Sequence, residues 1–173
     1  IKMKAIVTGA TGCLGLNLTK RLVHEGYDVT AMGRNEQLGK VVSQLGARFV
    51  AVDLLDKTRL QQQCSDADVI FHCAALSSPW GAYADFYRSN VIGTQHIISA
   101  TPEKARLIHV SSPSIYFDYT EKFGIQENAI LPLKPANHYI KTKLMAEQLI
   151  DAAHRDEKLN VITIRPRALF GPY

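Results

Sequence analysis

Six short apolar runs rich in β-branched residues alternate with longer stretches of helical pattern, and this alternation leaves the chain few folds to choose from. The pattern predicts strands over residues 3–8, 28–32, 48–52, 68–73, 106–111 and 160–165, the last stopped by Pro166. It predicts helices over 12–25, 36–45, 57–64, 83–100 and 138–155, with Gly26 and Gly46 ending the first two. A polar loop, 77–82, precedes the long helix, and 113–137, with three prolines, reads as irregular. Parallel strands joined by helices need right-handed crossovers, so the expectation is an α/β, doubly wound parallel sheet with helices on both faces. No linker composition interrupts residues 1–173, which read as a single domain.

Composition narrows the class. With 46% hydrophobic and 21% charged residues the chain can bury a core, which excludes disorder. No apolar run approaches the roughly 18 residues of a membrane helix, so no membrane span is expected. Twenty Lys and Arg against sixteen Asp and Glu give a net charge of +4. These charges are scattered, which reads as solubility rather than a nucleic-acid-binding stripe. Cys13, Cys64 and Cys73 stand in no ligand spacing, so neither a disulfide framework nor a metal site is expected, and a reducing, cytoplasmic setting is. Lys2 and Lys4 lead straight into the first strand rather than into a leader. The start at Ile1 and the stop at Tyr173 read as a piece of a longer chain.

The segment Thr8-Gly9-Ala10-Thr11-Gly12-Cys13-Leu14-Gly15 falls where the first strand becomes the first helix. Glycines there permit a tight turn, and their missing side chains let backbone N–H groups approach a pyrophosphate. The helix N-terminus adds partial positive charge, and the third glycine brings helix and sheet together. The spacing is G-x-x-G-x-x-G, and an ordinary glycine-rich turn is the alternative; the strand–loop–helix placement favours a dinucleotide site. About twenty residues on, strand two ends in Ala31-Met32-Gly33-Arg34-Asn35, with no acid to hold ribose hydroxyls. Arg34 offers a planar fork to a 2′-phosphate, so NADP(H) is favoured with NAD(H) possible. The alternative for Arg34 is a solvated surface side chain.

Tyr139 and Lys143 lie four apart on a predicted helix and project from one face. An ammonium beside a phenol favours the phenolate, which suits a general acid/base. Ser111 and Ser112 sit at the carboxyl end of strand five, the rim at which parallel sheets bind ligands.

Further pieces follow in order: Asp53-Leu54 after strand three, His72-Cys73-Ala74-Ala75 after strand four, and Asn90-Val91-Ile92-Gly93-Thr94 in the long helix. Ser111-Ser112-Pro113-Ser114-Ile115-Tyr116 follows strand five, and Arg165-Pro166 with Phe170-Gly171-Pro172 follows strand six. Together with the glycine loop, this ordered set resembles the extended short-chain dehydrogenases/reductases, in their epimerase/dehydratase and 3β-hydroxysteroid-dehydrogenase-like branch. The resemblance implies a Rossmann fold, with the substrate portion in a C-terminal part that would begin where this chain stops. It implies catalytic roles for Ser112, Tyr139 and Lys143, with Asn90 supporting the lysine's proton relay. It implies cofactor contacts from Gly9, Thr11, Gly12, Cys13, Leu14, Gly15, Arg34, Asp53, Leu54, Ala74 and Ala75, besides Tyr139 and Lys143, the latter on the nicotinamide ribose. Asp53 also reads as a helix N-cap. His72, Cys73 and Tyr116 read as structural, and Trp80 as a core anchor or a substrate platform.

The function expected from this set is NADP(H)-dependent interconversion of a secondary alcohol and a ketone. The Pro79-Trp80-Gly81 loop, with Phe86-Tyr87 after it, points to an apolar small molecule, steroid-like or acyl, in its 3-hydroxy and 3-keto forms. Two rivals stand beside it: an NAD-dependent sugar-nucleotide epimerase or dehydratase, and a non-catalytic dinucleotide-binding redox sensor. Homodimerisation through the 83–100 and 138–155 helices is implied by the resemblance.

Overall fold

The computed structural model describes residues 1–172; Tyr173, the last residue of the expected domain, lies outside them. Strand β1 (Lys4–Thr8) is apolar on both sides because it is central, with β2 (Asp28–Gly33) and β4 (Val69–His72) as its parallel neighbours. With β3 (Arg48–Ala51), β5 (Arg106–Val110) and β6 (Val161–Ile164) the order is β3-β2-β1-β4-β5-β6, every pair parallel. Chain direction across the sheet reverses between β1 and β4. At that point the two crossovers leave on opposite faces, and a crevice opens beyond the carboxyl ends of the strands.

Each face carries its own core. Ile6, Ile70 and Leu107 meet Leu60 of α3 (Lys57–Cys64), Ile97 of α5 (Gly93–Ala100) and Ile150 of α6 (His138–Glu157) on one side. Ala5, Val7 and Val29 meet Leu16 and Leu22 of α1 (Cys13–His24) and Val42 of α2 (Glu36–Gln44) on the other. This is the doubly wound sheet that the alternation implies. Truncating a fully buried Ile or Leu here to Ala costs about 2–5 kcal/mol.

Side chains cap three helices where they leave the carboxyl rim. Asn35 accepts from the N–H groups of Gln37 and Leu38, Asp56 from Arg59, and Asn137 from Ile140. α1 differs: Gly12 is its N-cap and provides no side-chain bond, so its first N–H groups face the crevice without a capping side chain.

Two segments depart from the sequence pattern. The helix expected over 83–100 starts as α4 (Tyr83–Phe86), widens into a π turn at Tyr87–Ile92, and resumes as α5. The widened turn carries Asn90, whose amide bonds Leu76 in the chain leaving β4, and a π turn of this kind commonly marks a functional position. Within the irregular stretch, Pro113–Tyr116 forms a 3-10 turn whose first N–H groups are served by Ser112, through its Oγ accepting from Ser114 N–H. Helix α6 runs two residues past the expected end and closes at Lys158 in the left-handed region (φ 57°).

Candidate active site

The glycine loop crosses the β1/β4 crevice with no space to spare. Gly9 has φ +64°, and a Cβ on it would stand 2.8 Å from the Cα of Ala74, so only glycine lets the loop lie against the chain leaving β4. Gly15 is a packing position: a Cβ there would come 2.1 Å from the carbonyl oxygen of Gly9. Gly9, Thr11, Gly12, Ala74 and Ala75 wall one part of a cavity of about 700 Å³, and Arg34, Asp53 and Leu54 wall another. That volume is ample for a small-molecule site. Cys13, exposed, and Leu14 and Gly15, progressively more buried, follow in the first turn of α1 and are not part of the wall.

At the β2 end of the cavity, Arg34 is exposed and Asn35 is occupied in capping α2. Gly33 lies against Thr11, whose Cγ2 would be 3.0 Å from an added Cβ. Asp53 accepts from Leu55 N–H at 2.9 Å, while the N-cap of α3 is Asp56. Leu54 packs on Gly93, and its carbonyl bonds His96 Nδ1 at 2.7 Å, which ties the β3 exit to α5.

The rim over β5 holds the ionisable pair. Lys143 is 3% exposed, and its Nζ donates to the Val110 carbonyl at 2.9 Å. Burial pulls its pKa down to about 8, against the opposing pull of Glu147. Tyr139 is half-buried one turn nearer the rim, and Ser112 follows Val110 by two residues, half-buried, its Oγ bonded to Ser114 Oγ at 3.0 Å. α6 packs directly on the Pro113–Tyr116 turn, so the three residues share one end of the sheet with the glycine loop. Asn90 is 2% exposed and fully engaged. Its Oδ1 accepts from Leu76 N–H at 2.8 Å, and its Nδ2 donates to Leu76 O and Thr142 Oγ1, both at 3.1 Å. Through Thr142 it braces α6 beside Lys143. Trp80 is 80% exposed and anchors no core.

Two buried groups were not expected to support the site. Thr8, His72, His109 and Thr163 stand in register across four strands. His72 Nδ1 meets Thr8 Oγ1 at 2.8 Å and its Nε2 meets Thr94 Oγ1 at 3.0 Å, while Thr8 Oγ1 accepts from Ala74 N–H at 3.1 Å. His72 thereby anchors the strand exit that walls the cavity. His109 stacks on it with centroids 5.7 Å apart. Burial holds both neutral, His72 down to about 3 and His109 well below its ordinary value, with the Lys143 charge adding to the effect. Burial also pushes the Cys73 thiol up to about 12, which leaves it unreactive at neutral pH. The second group, Glu147 with Arg165, had one sequence signal, the four-residue spacing from Lys143 to Glu147.

Among the described residues no cluster of His, Cys, Asp and Glu could hold a metal ion, and no helix is long and apolar enough to cross a membrane.

The NAD dependent epimerase/dehydratase family matches residues 5–173. A Stigmatella aurantiaca protein, 4-hydroxy-2-methyl-3-oxo-4-farnesyl-3,4-dihydroquinoline-1-oxide ketoreductase, is 34% identical over 98% of this chain and 51% of its own length. Human sterol-4-alpha-carboxylate 3-dehydrogenase, decarboxylating, is 31% identical over 98% of this chain and 45% of its own. The chain thus spans about half the length of these relatives. Among solved structures, UDP-glucuronic acid 4-epimerase from Bacillus cereus in complex with NAD superposes with a TM-score of 0.86 at 26% identity, covering 98% of this chain and 58% of that one.

Proposed function

The chain belongs to the NAD dependent epimerase/dehydratase family, and from that premise we propose that it forms the dinucleotide-binding part of an NADP(H)-dependent oxidoreductase that interconverts a secondary alcohol and a ketone. The observation that carries this reading is Lys143, buried on the Val110 carbonyl with Tyr139 one helical turn away, at the same carboxyl rim of the sheet as the glycine-walled cavity, although neither side chain lines that cavity.

The residues fit a dinucleotide. The Gly9–Ala74 approach leaves no side chain in the loop's path, and the uncapped N–H groups of α1 face the cavity, as a pyrophosphate requires. Arg34 would pair with a 2′-phosphate, and Asp53 and Leu54 would border the adenosine. When bound, the nicotinamide supplies or accepts the hydride. The Tyr139 hydroxyl gives its proton to the carbonyl oxygen during reduction and takes it back during oxidation. Ser112 Oγ donates a hydrogen bond to the same oxygen and steadies the charge that develops there. The Lys143 ammonium would hold the nicotinamide ribose.

The substrate class we propose is a 3-keto or 3-hydroxy compound with an apolar body, acyl or steroid-like. The ketoreductase and sterol dehydrogenase relatives support it, as does the exposed ring of Trp80 in the loop after β4. A reducing, cytoplasmic setting and a homodimer formed through α4–α5 and α6 belong to the same proposal. The test is NADPH consumption by the protein that carries this chain, offered 3-oxoacyl and 3-ketosteroid compounds beside UDP-sugars. Ketone-dependent consumption is expected, and inertness toward every ketone would refute the reading.

A second reading, a sugar-nucleotide epimerase with tightly held NAD, draws support from the likeness to the Bacillus cereus enzyme. The stretch Gly33-Arg34-Asn35 favours the first reading, because it has no carboxylate to hold the ribose hydroxyls of NAD.

A further inference from the structure

A partly buried ion pair, its carboxylate buried and its guanidinium part-exposed, lies one helical turn beyond Lys143, outside every role assigned above. Glu147, its side chain 6% exposed, has both carboxylate oxygens occupied: Arg165 Nε donates to Oε1 at 2.9 Å and Nη2 to Oε2 at 2.6 Å. The same guanidinium donates through Nη1 to the Glu127 carbonyl at 3.1 Å and to the Tyr116 hydroxyl, which in turn donates to Glu127 O at 2.7 Å. Arg165 therefore locks Glu147 from the far end of β6, held in place by the turn after β5 and by the segment that follows it. A partly buried pair of this kind is a poor source of stability, since removing its charges from water offsets most of the attraction. Its position suggests another use. Lys143 and Glu147 project from one face of α6, and among the described residues no carboxylate forms an ion pair with Lys143, whose amine instead meets the Val110 carbonyl.

We propose that Glu147, pinned by Arg165, is a positioning residue of the candidate active site that keeps the Lys143 ammonium charged and seated on Val110. The inference rests on the reading of Lys143 given above. The groups that face this amine are His72 and Cys73 from β4, His109 from β5, and Tyr139 and Glu147 from its own helix. The two histidines and the cysteine are neutral at physiological pH, so Glu147 supplies the counter-charge. Burial alone pulls Lys143 toward the neutral amine, and Glu147 opposes that pull.

The experiment uses the protein that carries this chain and follows NADPH affinity from about pH 6 to about pH 10. Four variants are compared with the wild type: K143M, E147Q, R165M and E147Q/R165M. In the wild type, affinity falls on the alkaline side as Lys143 loses its proton. E147Q is expected to move that midpoint down by about one unit, close to a fivefold loss of affinity near pH 8, and the double variant to move it down by a smaller step, since the opposing charge of Arg165 goes with it. R165M, which leaves the Glu147 charge unneutralised, is expected to move it up. The double variant removes both charges together, so folding does not depend on an orphaned one. Shifts of opposite sign separate an electrostatic role from simple damage to packing. If K143M keeps wild-type affinity and pH dependence, the reading of Lys143 fails. If K143M loses the alkaline transition while neither E147Q/R165M nor R165M moves the midpoint, that reading stands and the Glu147 inference is overturned.

Discussion

Gly9 and Ala74 meet backbone against backbone, so closely that a Cβ on residue 9 would stand 2.8 Å from the Ala74 Cα. This contact joins the glycine loop to the β4 exit and shapes the phosphate end of the cavity. Gly9→Ala would force a side chain into a φ of +64° and against backbone that cannot yield. A destabilisation of about 1–3 kcal/mol follows from the strain. Dinucleotide affinity is expected to drop at least tenfold more than it does in Gly26→Ala. Gly26 also has positive φ (+86°) but nothing within 4 Å, so it controls for strain alone. Calorimetric titration of both variants is the check.

Arg34 is exposed at the end of β2 with no carboxylate beside it in 31–35. Arg34→Ala is expected to weaken NADPH binding about tenfold or more, the size of one charge-assisted bond to phosphate, and to leave NADH nearly unchanged. Equal losses for the two nucleotides would remove the basis for a 2′-phosphate preference.

The stacked histidines make the fold sensitive to acid. His72 is held down to about 3 and His109 well below its ordinary value, whereas both titrate near 6.5 in the unfolded chain. Between those limits the unfolded state binds more protons, so stability is complete above about pH 6.5 and falls as pH drops toward about 3. The slope is about 1.4 kcal/mol per unit for each histidine. His109→Phe removes one of the two protons and the buried ring nitrogens that have no partner among the described residues. Urea midpoints at pH 7 and pH 5 should therefore differ less in this variant than in the wild type. An unchanged difference would show that His109 does not carry that proton linkage.

What the sequence disclosed was local. The apolar runs around Ile6, Ile70 and Leu107 announce strands covered on both faces, and the loop from Gly9 to Gly15 is legible because its glycines fall between a strand pattern and a helix pattern. Tyr139 and Lys143 are legible because four residues make one helical turn. The supports of the site were hidden because they are made by register. His72 meets His109 only once β4 and β5 pair, and Glu147 meets Arg165 only once β6 lies beneath α6. The π turn at Tyr87–Ile92 shifts backbone bonding without disturbing the apolar pattern, so a plain helix is what the residues advertise. Asp53 reads on paper as a helix cap, but the loop geometry gives the cap of α3 to Asp56 and leaves Asp53 bonded to Leu55 N–H.

The claim that a half-buried phenol performs the proton transfer while the neighbouring lysine and the glycine loop hold the nucleotide is tested most directly by Tyr139→Phe in the protein that carries this chain. NADPH affinity and ketone reduction are measured on the same preparation. The account predicts affinity within about twofold of wild type and a rate lowered by about two orders of magnitude or more, the scale of a lost general acid. Reduction that continues at the wild-type rate, with NADPH still bound, would contradict it.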